Sequence, residues 1–139
     1  MIVPDTSVLV AGFVSSHRFH EVAISALAGV RREGGLIAHT TAETYAVLSG
    51  SSGFYRVEPS AAVAYLDQFL AGAGLIQPRP EAYREALDLL AEGQRGGGVI
   101  YDALIALAAR DAKATLVSLD RRAERTYELC GAEARLLDD

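Results

Sequence analysis

Cysteine, tryptophan and long apolar runs are what this sequence of 139 residues has least of. Its single cysteine, Cys130, allows no internal disulfide and excludes a metal cage built from several thiolates. The longest apolar run, Ala103 to Ala109, falls far short of the ~20 residues a membrane-spanning helix needs. No basic segment precedes the first apolar residues, and Asp5 interrupts them where a signal peptide carries no charge. A cytoplasmic protein with no membrane contact is therefore expected. Histidine is scarce as well. His17 and His20 do not have the i, i+4 spacing of a metalloprotease helix, and His39 lies elsewhere, so all three are expected to be surface polar groups. Gly96-Gly97-Gly98 lacks the following Lys-Ser/Thr of a phosphate-binding loop, and Ser49-Gly50-Ser51 lacks the surroundings of a nucleophile elbow.

What is present is a chain that is 50% hydrophobic, enough for one domain, residues 1–139, with a sizeable core and no disordered tract. Thirteen basic against 18 acidic residues give a net charge of −5, the wrong sign for a simple nucleic-acid footprint. Every basic residue except Lys113 is nevertheless arginine, the side chain that forks onto phosphates. Arg31 with Arg32, and Arg121 and Arg122 with Arg125, form clusters that read for the most part as solvated helix faces paired with Glu and Asp. Cys130 reads as a small buried hydrophobe.

Short apolar runs alternate with helical spacings along the chain. Ile2-Val3 and Leu36-Ile37 are strand candidates, as are Leu75-Ile76, Leu116 to Ser118 and the terminal Leu136-Leu137. Between them, Phe19 to Arg31 places Ala23, Leu27 and Val30 in helical register, and Thr40 to Leu48 opens a second helix. Pro59 starts a third with Val63, Leu66 and Leu70 on one face, and Pro80 or Glu81 a fourth with Tyr83, Leu87 and Leu90. Ala103 to Ala112 is apolar almost all round and hence buried, and Asp120 to Leu129 is the last helix. Gly50 to Gly53 and Gln94 to Gly98 are loops. This alternation predicts an α/β fold, a three-layer α/β/α sandwich around a central, mainly parallel sheet of four or five short strands.

Four carboxylates recur at equivalent junctions. Asp5 follows the first strand, Glu43 lies in the first turn after the second, Asp102 opens the buried helix and Asp120 follows the Leu116 strand. Each has a plain structural reading. Thr40-x-x-Glu43 fits a capping box, and Asp5, Asp102 and Asp120 suit helix N-caps, worth ~1 kcal/mol each. Parallel strands, however, bring their C-terminal ends to one edge, where ligand sites of α/β sheets lie. Several carboxylates there repel one another and need protons or a cation. A hard divalent ion answers that need with oxygen ligands alone: Mg²⁺, or Mn²⁺ in its place. The chemistry that follows is hydrolysis at phosphorus, with Thr6, Ser7 and Ser118 able to orient ligands or a phosphate, or simply to satisfy helix termini.

At these residues the chain resembles a known family. Ile-Val-Pro-Asp5-Thr6-Ser7, Glu43, Tyr101-Asp102-Ala-Leu-Ile-Ala106 and Leu-Val-Ser118-Leu-Asp120-Arg-Arg are similar to the PIN-domain family, and more narrowly to VapC-type toxins of toxin–antitoxin pairs. The resemblance implies a Mg²⁺- or Mn²⁺-dependent endoribonuclease with a catalytic quartet of Asp5, Glu43, Asp102 and Asp120. Asp5 and Asp102 match metal ligands, Asp120 an additional acid at the metal, and Glu43 an acid acting directly or through water. It also implies an RNA substrate, a cognate antitoxin, and a homodimer or toxin–antitoxin hetero-oligomer. Two other classes remain open: a receiver-like Mg²⁺-binding signalling module, for which Asp5 lacks a neighbouring acid, and a silent PIN-like binding module whose acids are only caps. Gly50 to Arg56 and Gln94 to Gly98 are candidate rims of an RNA groove, with Phe54 and Tyr55 as stacking residues and Tyr45 as core.

Overall fold

A computed structural model describes residues 1–50, 56–72 and 74–138. The Gly50 to Gly53 loop and the stacking candidates Phe54 and Tyr55 fall, apart from Gly50, outside the described residues. Five short strands alternate with seven helices among those described. The strands are β1 (Ile2–Pro4), β2 (Leu36–Ile37), β3 (Leu75–Ile76), β4 (Thr115–Ser118) and β5 (Glu133–Leu136). The helices are α1 (Thr6–Phe13), α2 (His20–Glu33), α3 (Ala38–Ser49), α4 (Pro59–Leu70), α5 (Pro80–Glu92), α6 (Val99–Asp111) and α7 (Arg121–Leu129).

All strand pairings are parallel, as the alternation predicts, but they fall into two sets: β1-β4-β5 and β2-β3. β1 and β2 neighbour each other without a hydrogen-bonded ladder. Consecutive strand residues feed opposite layers, because side chains alternate across a strand. Val3, Ile37 and Leu116 enter one core with α5, α6 and α7, whereas Leu36 and Val117 enter the other with α1, α2 and α4. The strands and the helices packed on them through these two cores make the three layers.

Several helix faces differ from their expected ones. In α4 the buried stripe is Ala62, Tyr65, Leu66 and Phe69, and Val63 is exposed. In α5 it is Ala82, Ala86 and Leu90, while Tyr83 and Leu87 face outward. The alanines let α5 approach α6 closely, so the large apolar residues one position away are rotated ~100° off the contact. Tyr45, expected in the core, is exposed, since the face that α3 buries is Thr40, Thr44 and Leu48. The last strand ends at Leu136 instead of beginning there, because Thr115–Ser118 pairs with Glu133–Leu136. α6 buries every residue from Ala103 to Ala109, as expected of a helix apolar on all sides.

Candidate active site

The site is built at the C-terminal ends of β1 and β4. Their register, Pro4 opposite Val117, brings Asp5 and Asp120 to the same edge, and the Asp5 amide continues the ladder by donating to the Val117 carbonyl at 3.0 Å. Asp5 is the N-cap of α1 and accepts from the Val8 amide at 3.3 Å; Asp120 is the N-cap of α7 and accepts from the Arg122 amide at 2.9 Å. The capping reading therefore holds for the backbone at both positions. It fails at the other two. Ile37, with no side-chain cap, precedes α3, so Thr40 and Glu43 lie inside the helix and form no capping box. Gly98 precedes α6, which leaves Asp102 within its first turn as a side chain with no capping task.

These four acids, from four separate junctions, line one narrow cleft of about 50 Å³ with Thr6, Ser7, Ile105 and Tyr127. Asp5 is buried. Its carboxylate accepts from the Ser7 hydroxyl and from the Tyr127 hydroxyl at 3.0 Å. Ser7 in turn accepts from the Leu119 amide at 2.9 Å, which ties α1 to the turn after β4. Ser118 accepts from the Asp120 amide at 3.0 Å and so fixes the turn that presents Asp120. The Thr6 hydroxyl is buried beside the cleft with no hydrogen-bond partner among the described residues.

Two residues of the site lay outside the expected set. Tyr127 anchors Asp5 from α7, and its only sequence signal is the inward i, i+4 pair with Ala123. His39, expected as a surface group, places Nε2 3.3 Å from Glu43 Oε2 and stacks on Tyr101 with ring centroids 4.9 Å apart. Its i, i+4 spacing to Glu43 was the readable clue. His17 accepts from the Phe19 amide at 3.1 Å with its ring 6.1 Å from the Phe19 ring, and His20 Nδ1 lies 2.9 Å from the Ala11 carbonyl. Cys130 is buried, and burial pushes its thiol up, as suits a small hydrophobe.

Burial, opposed by hydrogen bonds from Ser118, Ser7, Tyr127 and Val8, raises the pKa of Asp5. Asp102 is pushed from 3.8 up to about 6, first by burial and then by the charges of Asp120, Glu43 and Asp5, with His39 opposing. Both carboxyls thus bind protons more tightly in the folded chain than in the unfolded one. Without metal, the folded state is expected to lose stability as pH rises from about 4 to about 6 through the Asp102 range. After allowance for solvent screening at this half-buried group, the loss is roughly 1 kcal/mol. Melting temperatures in chelator across that window check it: Asp102→Asn should flatten the decline, and a parent curve parallel to the variant's would refute the assignment. Replacing Tyr127 by Phe removes the Asp5 hydrogen bond and is expected to lower unfolding stability by about 1–2 kcal/mol, read by urea denaturation.

The donor set fits a hard divalent ion: the described residues lining the cleft offer carboxylate and hydroxyl oxygens and, among them, no sulfur or ring nitrogen. Among the described residues no three acids, histidines or cysteines form a ready-made metal cage. Among the same residues no helix is long and apolar enough to cross a membrane.

A parallel α/β fold with an acidic cleft at this edge is the architecture of the PIN domain, and residues 2–129 match that family's profile. The chain belongs to the PIN-domain family. It is 42% identical over 137 residues to "Ribonuclease VapC40" of Mycobacterium tuberculosis, which spans 99% of both chains. To "Ribonuclease VapC27" of the same organism it is 36% identical over 127 residues, 91% of this chain and 90% of that one. In three dimensions it resembles the structure of VapBC2 from Rickettsia felis bound to a promoter DNA fragment, with a TM-score of 0.70, 20% identity, and coverage of 99% and 100%.

Proposed function

We propose that this chain is a metal-dependent endoribonuclease, the toxin of a toxin–antitoxin pair, working in the cytoplasm as one domain over residues 1–139. The observation that carries the reading is the convergence of Asp5, Glu43, Asp102 and Asp120 on one cleft, where their mutual repulsion contributes to holding Asp102 at about 6. The full-length similarity to two proteins named ribonucleases points the same way.

In this reading Asp5, Asp102 and Asp120 hold Mg²⁺, or Mn²⁺ in its place. When bound, the ion supplies Lewis-acid stabilisation of charge on the phosphoryl oxygens and makes an attacking water more acidic. Glu43 stands at the cleft to orient that water or take its proton, with His39 holding its carboxylate. Tyr127 and Ser7 fix the Asp5 oxygens, and Ser118 fixes the turn of Asp120. On the same reading the Thr6 hydroxyl, which has no partner among the described residues, donates to a phosphate oxygen or to a ligand of the ion. A cognate antitoxin, and assembly as a homodimer or as a hetero-oligomer with it, belong to the same family reading.

Purified chain incubated with RNA should cut it in Mg²⁺ or Mn²⁺ and stop when a chelator is added. Cleavage that persists in chelator, or no cleavage together with no calorimetric Mn²⁺ binding, would overturn the reading. The second outcome would leave a silent PIN-like module.

A further inference from the structure

Beside the acidic cleft run two overlapping cavities of about 500 and 610 Å³. The first shares Thr6, Ser7 and Asp120 with the cleft, and both share Arg18, Phe19 and Arg122. Together they form a channel leading from the acids to the end of β5. Its floor is apolar, with Phe19, Leu119 and Leu137 partly buried against the core. Its walls carry arginine. The Arg18 guanidinium lies over the Phe19 ring, 4.6 Å from its centroid. The Arg122 side chain is 95% exposed, and its Nε lies 3.6 Å from Asp120 Oδ1. Arg121 reaches Asp138 at 3.3 Å on the far side.

We infer that this channel is the substrate subsite next to the scissile phosphate, seating an unpaired nucleotide of single-stranded RNA. The inference rests on the ribonuclease reading above and adds which residues select the substrate. Three features favour RNA over a peptide. The channel shares Thr6, Ser7 and Asp120 with the cleft as lining, so a strand seated in it lies beside the acids. Arginine forks match phosphate oxygens, and Arg122 stands one step from the acid that holds the metal. An arginine over an aromatic ring is a platform on which an unpaired base stacks.

Binding of a short, unstructured, fluorescently labelled RNA to the Asp5→Asn protein in Mg²⁺ tests this by anisotropy. Arg18→Ala and Arg122→Ala, introduced singly into that background, should each weaken binding about tenfold. Arg122→Ala should also reduce the salt dependence by about one phosphate contact. An abasic nucleotide scanned along the RNA should weaken binding at one position, and that penalty should vanish in the Arg18→Ala protein. Phe19→Leu, which keeps an apolar side chain against the core, should abolish the same penalty. If the unaltered chain cuts RNA yet Arg18→Ala and Arg122→Ala bind like the background, the subsite is refuted and the ribonuclease reading stands. If the unaltered chain cuts no RNA in either metal, both fall. If the variants lose a copurifying antitoxin but keep RNA affinity, the channel is a peptide seat and the inference is wrong.

Discussion

Changing Asp5 and Asp102 together to asparagine is expected to lower RNA cleavage by roughly a thousandfold or more, equivalent to several kcal/mol of lost transition-state stabilisation. The expectation is sharp because asparagine preserves shape. It remains a good N-cap, so the contact from the Val8 amide survives at position 5. Asp102 caps nothing, so its replacement breaks no helix contact. What disappears is charge, and with it the means of holding a divalent ion. Asp102→Asn alone removes a carboxylate raised by burial and by three neighbouring acids, so at neutral pH it should be no less stable than the parent. A double variant that melts like the parent and cuts RNA at the parental rate would remove the acids from the chemistry.

The second large effect is mechanical. Gly34→Ala is expected to destabilise the fold by about 3 kcal/mol or prevent its accumulation. A β-carbon there would lie 2.0 Å from the Ile2 carbonyl oxygen and 2.9 Å from the Val30 Cα. Both are backbone atoms, so no rotamer relieves the clash; β1 or the end of α2 must move. β1 is the strand that leads into Asp5, which couples this remote glycine to the site. Gly98→Ala is the control: its φ of −65° suits any residue and nothing lies within 4 Å of the added carbon. It should be neutral or stabilising by about 0.5 kcal/mol. Equal urea midpoints for the two variants would contradict the packing described at Gly34.

The sequence alone was informative wherever one physical cause dominated. Ala103 to Ala109 had to be buried, since a helix with no polar side has no face to give to water. Ala23, Leu27 and Val30 followed the helical period and form the buried face of α2. The junctions of Asp5 and Asp120 were legible because a short apolar strand followed by a capping acid is a local signal. Helix rotation was not legible in α4 and α5, where alanines compete with larger apolar neighbours for the inward face. Contact distance between helices decides that competition, and it is set by partners far away in sequence. The break between β1 and β2 is likewise a matter of pairing geometry.

For the site, local pattern determined which acids stand at strand and helix junctions. Tertiary structure decided what they do there. Parallel register between residues 2–4 and 115–117 sets Asp5 beside Asp120. The approach of α3 and α6 adds Glu43 and Asp102 to the same cleft. Burial in that cleft, and after it the charges of the three neighbouring acids, raise Asp102, because desolvation and Coulomb energy both depend on placement in space and not along the chain. Tyr127 and His39 belong to the same lesson, as does the Arg18–Phe19 channel: single residues without a motif, given a task by the fold.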